Sequence, residues 1–179
     1  MLTAVIVGFA LAPRAAVAQD GEETTNAHAR SGFWFNGGLG WGSLGCDGCT
    51  EREGGGVLSL AAGGTLSQNV LLGASIDGWS KEENGTRLTA SSLLATLRFY
   101  PSTDNGFFLR GGLGVGTVEA SISGVGSGSE TGGAALLGLG YDFRVSETVS
   151  LTPYLNGVGI SEESGSVNYT QLGLSVTVH

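Results

Sequence analysis

One alternating pattern occurs eight times along the chain and restricts its fold more than any other feature. In each repeat, apolar residues alternate with small or polar residues over ten or more positions, and a break follows. A period of two residues indicates a β-strand with one apolar face, and about ten residues suffice for a tilted strand to cross a bilayer. The eight predicted strands are 32–43, 56–67, 70–80, 87–100, 106–119, 132–145, 149–160 and 167–179.

The breaks between these strands predict how the strands are connected. Short breaks alternate with longer, more acidic ones: the short breaks are 67–69, 101–105 and 146–148, and the longer ones are 44–55, 81–86, 120–131 and 161–166. Short turns on one rim and longer loops on the other are typical of up-and-down barrels. The sequence therefore predicts an all-β fold, an eight-stranded antiparallel up-and-down transmembrane β-barrel with both chain ends at the short-turn rim.

On each strand, the residues that alternate with the apolar ones form a second stripe, and their composition indicates which face meets water. A soluble barrel should carry many charged residues on its outer stripe, whereas strand 56–67 carries there Val57, Ser59, Ala61, Gly63 and Thr65. Charged residues are only 13% of the chain, about half the usual share. The apolar stripes hold no charge, which at mid-bilayer would cost about 2–4 kcal/mol. The pattern predicts apolar rows facing lipid and a lumen lined by small and polar residues.

Five charged residues lie on the predicted lumen stripe: Asp77, Arg98, Arg110, Asp142 and Arg144. Two interpretations are open: these residues could gate the barrel or select anions, or they could form a network of paired charges that fills a closed interior. Because an eight-stranded barrel encloses little beyond its own side chains, the pairing network is favoured.

Aromatic residues cluster near the strand ends, as in the two belts that anchor barrels at membrane interfaces. Six lie toward the short-turn rim and one, Trp41, lies toward the opposite rim; the six are Phe33, Phe35, Phe99, Phe107, Tyr141 and Phe143.

The first residues predict export. Residues 1–18 contain an apolar run and the small-x-small sequence Ala16-Val17-Ala18, which is typical of a cleaved signal peptide, although no Lys or Arg precedes the run. A short anchor or a buried helix is the alternative interpretation. We expect residues 19–31 to form a flexible periplasmic leader and residues 32–179 to form the barrel. Loss of Arg14 with the signal changes the net charge from −8 to −9, which leaves no basic patch for nucleic acid.

The sequence Cys46-Asp47-Gly48-Cys49 lies in the first long break. Two close cysteines outside the cytosol favour a disulfide; redox chemistry would need a helical context, and a metal site would need more ligands. For catalysis the chain offers only His28 and His179, neither within a strand interior. We expect no enzyme, no cofactor and no metal.

Taken together, these patterns resemble the small bacterial outer-membrane β-barrels of the OmpA/OmpX type, over residues 32–179. The resemblance implies a monomer in the outer membrane of a Gram-negative-type bacterium, with a structural or interaction role in the envelope. It implies contacts with outer-membrane lipid and lipopolysaccharide and insertion by the barrel-assembly machinery. Such proteins usually end in an aromatic residue read by that machinery, whereas this chain ends in His179.

Three other functions are compatible with parts of the pattern. A narrow pore for small solutes or ions would use the polar lumen. A lipid-modifying or proteolytic barrel enzyme would need a base, and no histidine lies in the middle of a strand. A secreted, soluble lipocalin-like barrel would turn the apolar rows inward.

Overall fold

The computed structural model describes residues 30–122, 124, 126–163 and 165–179. The predicted signal peptide, His28 and most of the predicted leader lie outside these residues. Within the described part of the chain, no helix is long and apolar enough to cross a membrane.

Every regular element of the described residues is a β-strand, and all strand pairings are antiparallel. The strands are β1 Phe33–Cys46, β2 Glu53–Ser67, β3 Val70–Glu83, β4 Thr86–Phe99, β5 Phe107–Ile122, β6 Gly126–Tyr141, β7 Phe143–Arg144, β8 Val149–Ser161 and β9 Ser166–Val178. β6 and β7 both pair with β8, so they are two parts of one barrel strand, interrupted at Asp142. β1 pairs with β9 and closes the barrel. The predicted eight-stranded antiparallel barrel is confirmed.

The strands are longer at the long-loop rim than the apolar alternation predicted, and the loops there are correspondingly shorter. The clearest case is the predicted break 81–86, because β3 runs to Glu83 and β4 starts at Thr86. The remaining turn is Asn84-Gly85, with φ of 52° and 78°, which is the two-residue hairpin turn that Asn-Gly favours. Main-chain hydrogen bonds continue a hairpin beyond the bilayer without apolar residues, so the alternation stopped before the strands did.

The outer wall of the barrel is apolar. Among the described residues, 27 large hydrophobic side chains are exposed, with Leu113 at 72% and Leu137 at 78%. Polar residues such as Asp77 and Gln171 are instead fully buried in the interior. This arrangement confirms that the apolar rows face outward, and it excludes the soluble lipocalin-like alternative, since soluble proteins rarely expose apolar patches of this extent.

Large side chains fill much of the lumen, whereas the sequence predicted a small and polar lining. Near the long-loop rim, buried residues form what we call the loop-side cluster: Leu44, Val57, Trp79, Ala90, Leu94, Ala134, Leu136, Val158, Ile160 and Tyr169. Near the short-turn rim, others form the turn-side cluster: Trp34, Ala61, Leu71, Tyr100 and Phe108.

Inward-facing glycines explain how these rings fit inside so narrow a barrel. A Cβ atom placed on Gly73 would lie 2.8 Å from the Trp34 ring, and one placed on Gly173 would lie 2.5 Å from the Tyr154 ring. The glycine stripe that suggested an open lumen is therefore the surface against which aromatic side chains of neighbouring strands pack.

Candidate functional site

A layer of polar side chains lies between the two apolar clusters, and a buried ion pair is its centre. Arg110 Nη2 on β5 donates to Asp77 Oδ2 on β3 at 2.8 Å, and both side chains are at most 3% exposed. Asp77 also accepts hydrogen bonds from the hydroxyls of Ser59 and Ser75, at 2.6 and 2.7 Å. The carboxylate therefore has its partners within the barrel, which a buried charge requires.

Arg98 lies directly opposite Arg110 in the β4–β5 ladder and has a different environment. Its guanidinium is 4.7 Å from the ring centre of Trp34 and 5.0 Å from that of Phe108, close enough for cation–π attraction. It is 2% exposed, and within the described residues it forms no ion pair.

Asp142 occupies the interruption between β6 and β7. Its two carboxylate oxygens accept hydrogen bonds from Tyr100 Oη at 2.7 Å and from Thr152 Oγ1 at 2.6 Å. Arg144 lies at the short-turn rim and donates to the carbonyl oxygen of Glu147 at 3.0 Å. The structure thus distributes the five predicted lumen charges over separate arrangements: one ion pair, one arginine between rings, one carboxylate bound by hydroxyls, and one arginine at the rim.

Arg30 covers the short-turn mouth of the lumen, although the sequence placed it in the flexible leader. The side chain is 1% exposed, and its guanidinium lies 3.6 Å from the ring centre of Tyr100. The backbone N–H donates to Gln68 Oε1 at 2.8 Å, and Nη2 donates to the Asn105 carbonyl oxygen at 2.9 Å. No periodicity marks Arg30 in the sequence, because its contacts are with residues far along the chain.

His179 also lies at this mouth, where its backbone N–H donates to the Thr148 carbonyl oxygen at 2.9 Å. Burial lowers the pKa of the imidazole to about 4. The carboxylate of Asp142 opposes this shift, whereas Arg144, Arg30 and Arg98 add to it. The side chain is therefore neutral in the folded protein at physiological pH.

A small cavity lies within the polar layer. Its volume is about 10 Å³, and it is lined by Asn36, Ser59, Arg98, Phe108, Arg110, Thr152, Tyr154, Asn156 and Ser175. A void of this size holds about one water-sized particle. The loop-side cluster lies above it and the turn-side cluster lies below it.

The long-loop rim is uneven, because β6 extends there beyond its pairing with β8. β6 pairs with β5 as far as Gly126, but its pairing with β8 begins only at Gly133. Within the described residues, positions 126–132, which we call the β6 extension, therefore form a strand ladder with β5 only. A cleft of about 480 Å³ beside this extension is lined by Glu130, Thr131, Glu162 and Glu163. Burial and the neighbouring Glu130 raise the pKa of Glu162.

The loop between β1 and β2, residues 47–52, which we call the cysteine loop, is hydrogen-bonded to the start of β9. A disulfide joins Cys46 and Cys49, whose Cα atoms are 5.3 Å apart. Asp47 N–H donates to the Ser166 carbonyl oxygen at 3.0 Å, and the Ser166 hydroxyl donates to Asp47 Oδ2 at 2.6 Å. Across the described residues, no group of three or more His, Cys, Asp or Glu side chains is placed to hold a metal ion.

The predicted belt residues lie on the outer wall or at its edges. Six of them have side chains that are 36–70% exposed: Phe33, Phe35, Trp41, Phe99, Phe107 and Phe143. Tyr141 is half-buried, and its ring centre is 4.6 Å from that of Phe143.

Comparison with known proteins finds solved structures that have a similar architecture. No protein-family model and no curated protein matches the chain. Among solved structures, Neisserial surface protein A is similar with a TM-score of 0.65 and 16% identity, over 84% of this chain and 98% of that one. Ail, the attachment invasion locus protein of Yersinia pestis, is similar with a TM-score of 0.59 and 18% identity, over 82% and 99%. Both are small eight-stranded outer-membrane barrels, so this chain has their fold.

Proposed function

We propose that this protein is a closed, non-catalytic barrel of the bacterial outer membrane that stabilises the envelope and makes contacts through its long-loop rim. The filled lumen is the observation that carries the proposal. Two apolar clusters and the Asp77–Arg110 pair occupy the barrel interior, and Arg30 covers one mouth. These features oppose the narrow-pore alternative. The protein should therefore give no discrete current steps in planar lipid bilayers, and regular steps would refute the closed barrel.

The β6 extension supports a specific kind of contact. Within the described residues, positions 126–129 and 131–132 belong to the ladder with β5 but not to the ladder with β8, and such an edge can add one more extended strand, as in β-augmentation. Its sequence, Gly-Ser-Gly-Ser-Glu-Thr-Gly, has no large side chain that would obstruct an added strand. The adjacent cleft contributes three glutamates, so the partner that fits best is an extended polypeptide with basic side chains.

A peptide of alternating lysine and valine tests this contact. We expect it to bind the protein reconstituted in neutral lipid vesicles, and we expect N-methylation of alternate peptide bonds to abolish binding because it removes main-chain donors. Glu163→Lys should weaken binding, whereas Glu51→Lys, an exposed acid in the cysteine loop, should not. Equal binding of the methylated peptide, or no binding at all, would contradict the proposed edge contact.

Several further properties belong to the same proposal. Residues 1–18 are cleaved as a signal peptide, and residues 19–31 form a periplasmic leader that includes the buried Arg30. The barrel is a monomer surrounded by outer-membrane lipid and lipopolysaccharide. The alternating C-terminal strand supports recognition by the barrel-assembly machinery. The mass of the protein recovered from outer-membrane fractions tests the cleavage site, and a shift in gel mobility on boiling tests the folded barrel.

A further inference from the structure

Arg98 is a buried cation that forms no ion pair within the described residues. Asp77 is paired with Arg110, and the oxygens of Asp142 accept hydrogen bonds from Tyr100 and Thr152. Within the described residues, neither Nε nor Nη1 of Arg98 has a hydrogen-bond partner. The aromatic rings beside it supply attraction but no negative charge. An uncompensated charge in a low-dielectric interior is strongly unfavourable.

The cavity in the polar layer lies where such a charge could be balanced. Arg98 and Arg110 both line it, and they face each other across the β4–β5 ladder, where like charges destabilise a sheet. Tyr154 also lines the cavity; it is 6% exposed, and its hydroxyl lacks a partner within the described residues. We propose that this cavity is a binding site for a single monatomic anion, a chloride-sized halide, held by Arg98, Arg110 and the Tyr154 hydroxyl.

Charge and size together select this class of ligand. The described interior buries three positive charges against two negative ones, so one monovalent anion makes it neutral; these residues are Arg30, Arg98, Arg110, Asp77 and Asp142. A water molecule would satisfy hydrogen bonds but would leave the charge. The cavity holds about one water-sized particle, so phosphate, sulfate and carboxylic acids are too large for it. Because apolar clusters lie on both sides of the polar layer, we expect the halide to enter during folding.

Salt-dependent unfolding tests the site in the whole protein. The denatured chain is refolded into detergent micelles in sodium chloride, sodium bromide or sodium gluconate at equal ionic strength, and unfolding in urea is then measured. A ligand present at 100 times its dissociation constant raises the folding equilibrium constant about 100-fold. We expect chloride and bromide to stabilise the protein relative to gluconate. Equal stability in the three salts would overturn the proposal.

Two substitutions locate the effect at the cavity. Tyr154→Phe removes a hydroxyl that lacks a partner within the described residues, so the halide effect should shrink. Arg98→Gln should abolish the halide effect. Arg87→Gln is the matched control, because Arg87 forms an exposed ion pair with Glu82, and it should leave the halide effect intact. A halide effect that persists in full in Tyr154→Phe and Arg98→Gln would refute this site.

Bromide crystals identify the occupant directly. An anomalous peak in the cavity, within hydrogen-bond distance of Arg98 and Tyr154, is the expected result. Density without an anomalous signal would identify a water molecule and would overturn the proposal, while the closed barrel itself would stand.

Discussion

Replacing Asp77 by Asn leaves Arg110 buried without its carboxylate while changing the shape of the side chain very little. Arg110 is 4% exposed and Asp77 is fully buried, so bulk water cannot solvate the Arg110 guanidinium once the carboxylate is lost. Removing one partner of such a pair typically costs about 3–5 kcal/mol, a large part of the 5–15 kcal/mol that usually stabilises a folded domain. The hydroxyls of Ser59 and Ser75, which donate to Asp77, lose a charged acceptor as well. We therefore expect Asp77→Asn to destabilise the barrel by at least about 3 kcal/mol.

Urea unfolding of the protein refolded in lipid vesicles measures this loss, with tryptophan fluorescence as the signal. Combining Asp77→Leu with Arg110→Met removes both charges and should recover most of the stability, because a buried pair is often replaced by apolar residues at little cost. Glu82→Gln breaks only the exposed ion pair with Arg87 and should leave unfolding unchanged. If Asp77→Asn costs less than about 1 kcal/mol, the ion pair does not hold the lumen together as we infer.

Two further predictions concern the packing and the titration of the interior. Gly73→Ala places a Cβ 2.2 Å from the Ala62 carbonyl oxygen and 2.8 Å from the Trp34 ring and should destabilise the barrel by about 1–3 kcal/mol. Gly64→Ala, with no atom within 4 Å of its Cβ, should be neutral; equal effects in urea unfolding would contradict the close packing at the inward-facing glycines. The pKa of His179 falls from 6.5 to about 4 on folding, so the unfolded chain binds the proton more readily. As pH falls from about 6.5 toward 4, protonation of the unfolded chain therefore lowers the free energy of unfolding. The unfolding midpoint of the wild type should therefore fall relative to that of His179→Gln between about pH 6.5 and pH 4; a difference that stays constant over this range would exclude this effect.

The alternation of residue types was enough to predict the number of strands, their antiparallel order and which face of each strand meets lipid. In lipid, every main-chain polar group must be paired, which only a closed barrel achieves with strands. Rows such as Leu172, Leu174, Val176 and Val178 must then face the acyl chains, and the structure places them on the outer wall. These conclusions need no knowledge of which residues meet across the lumen.

The contents of the lumen and the shape of the outer rim depend on the tertiary structure. The register of the strands brings Asp77 to Arg110 and places Arg98 between Trp34 and Phe108. No local sequence pattern encodes these contacts. The glycine stripe implied an open interior because a sequence shows where side chains are missing, not which rings occupy the space. The sequence did not predict the β6 extension for a related reason: beyond the bilayer, main-chain pairing alone extends a hairpin, so the residues show no apolar alternation there.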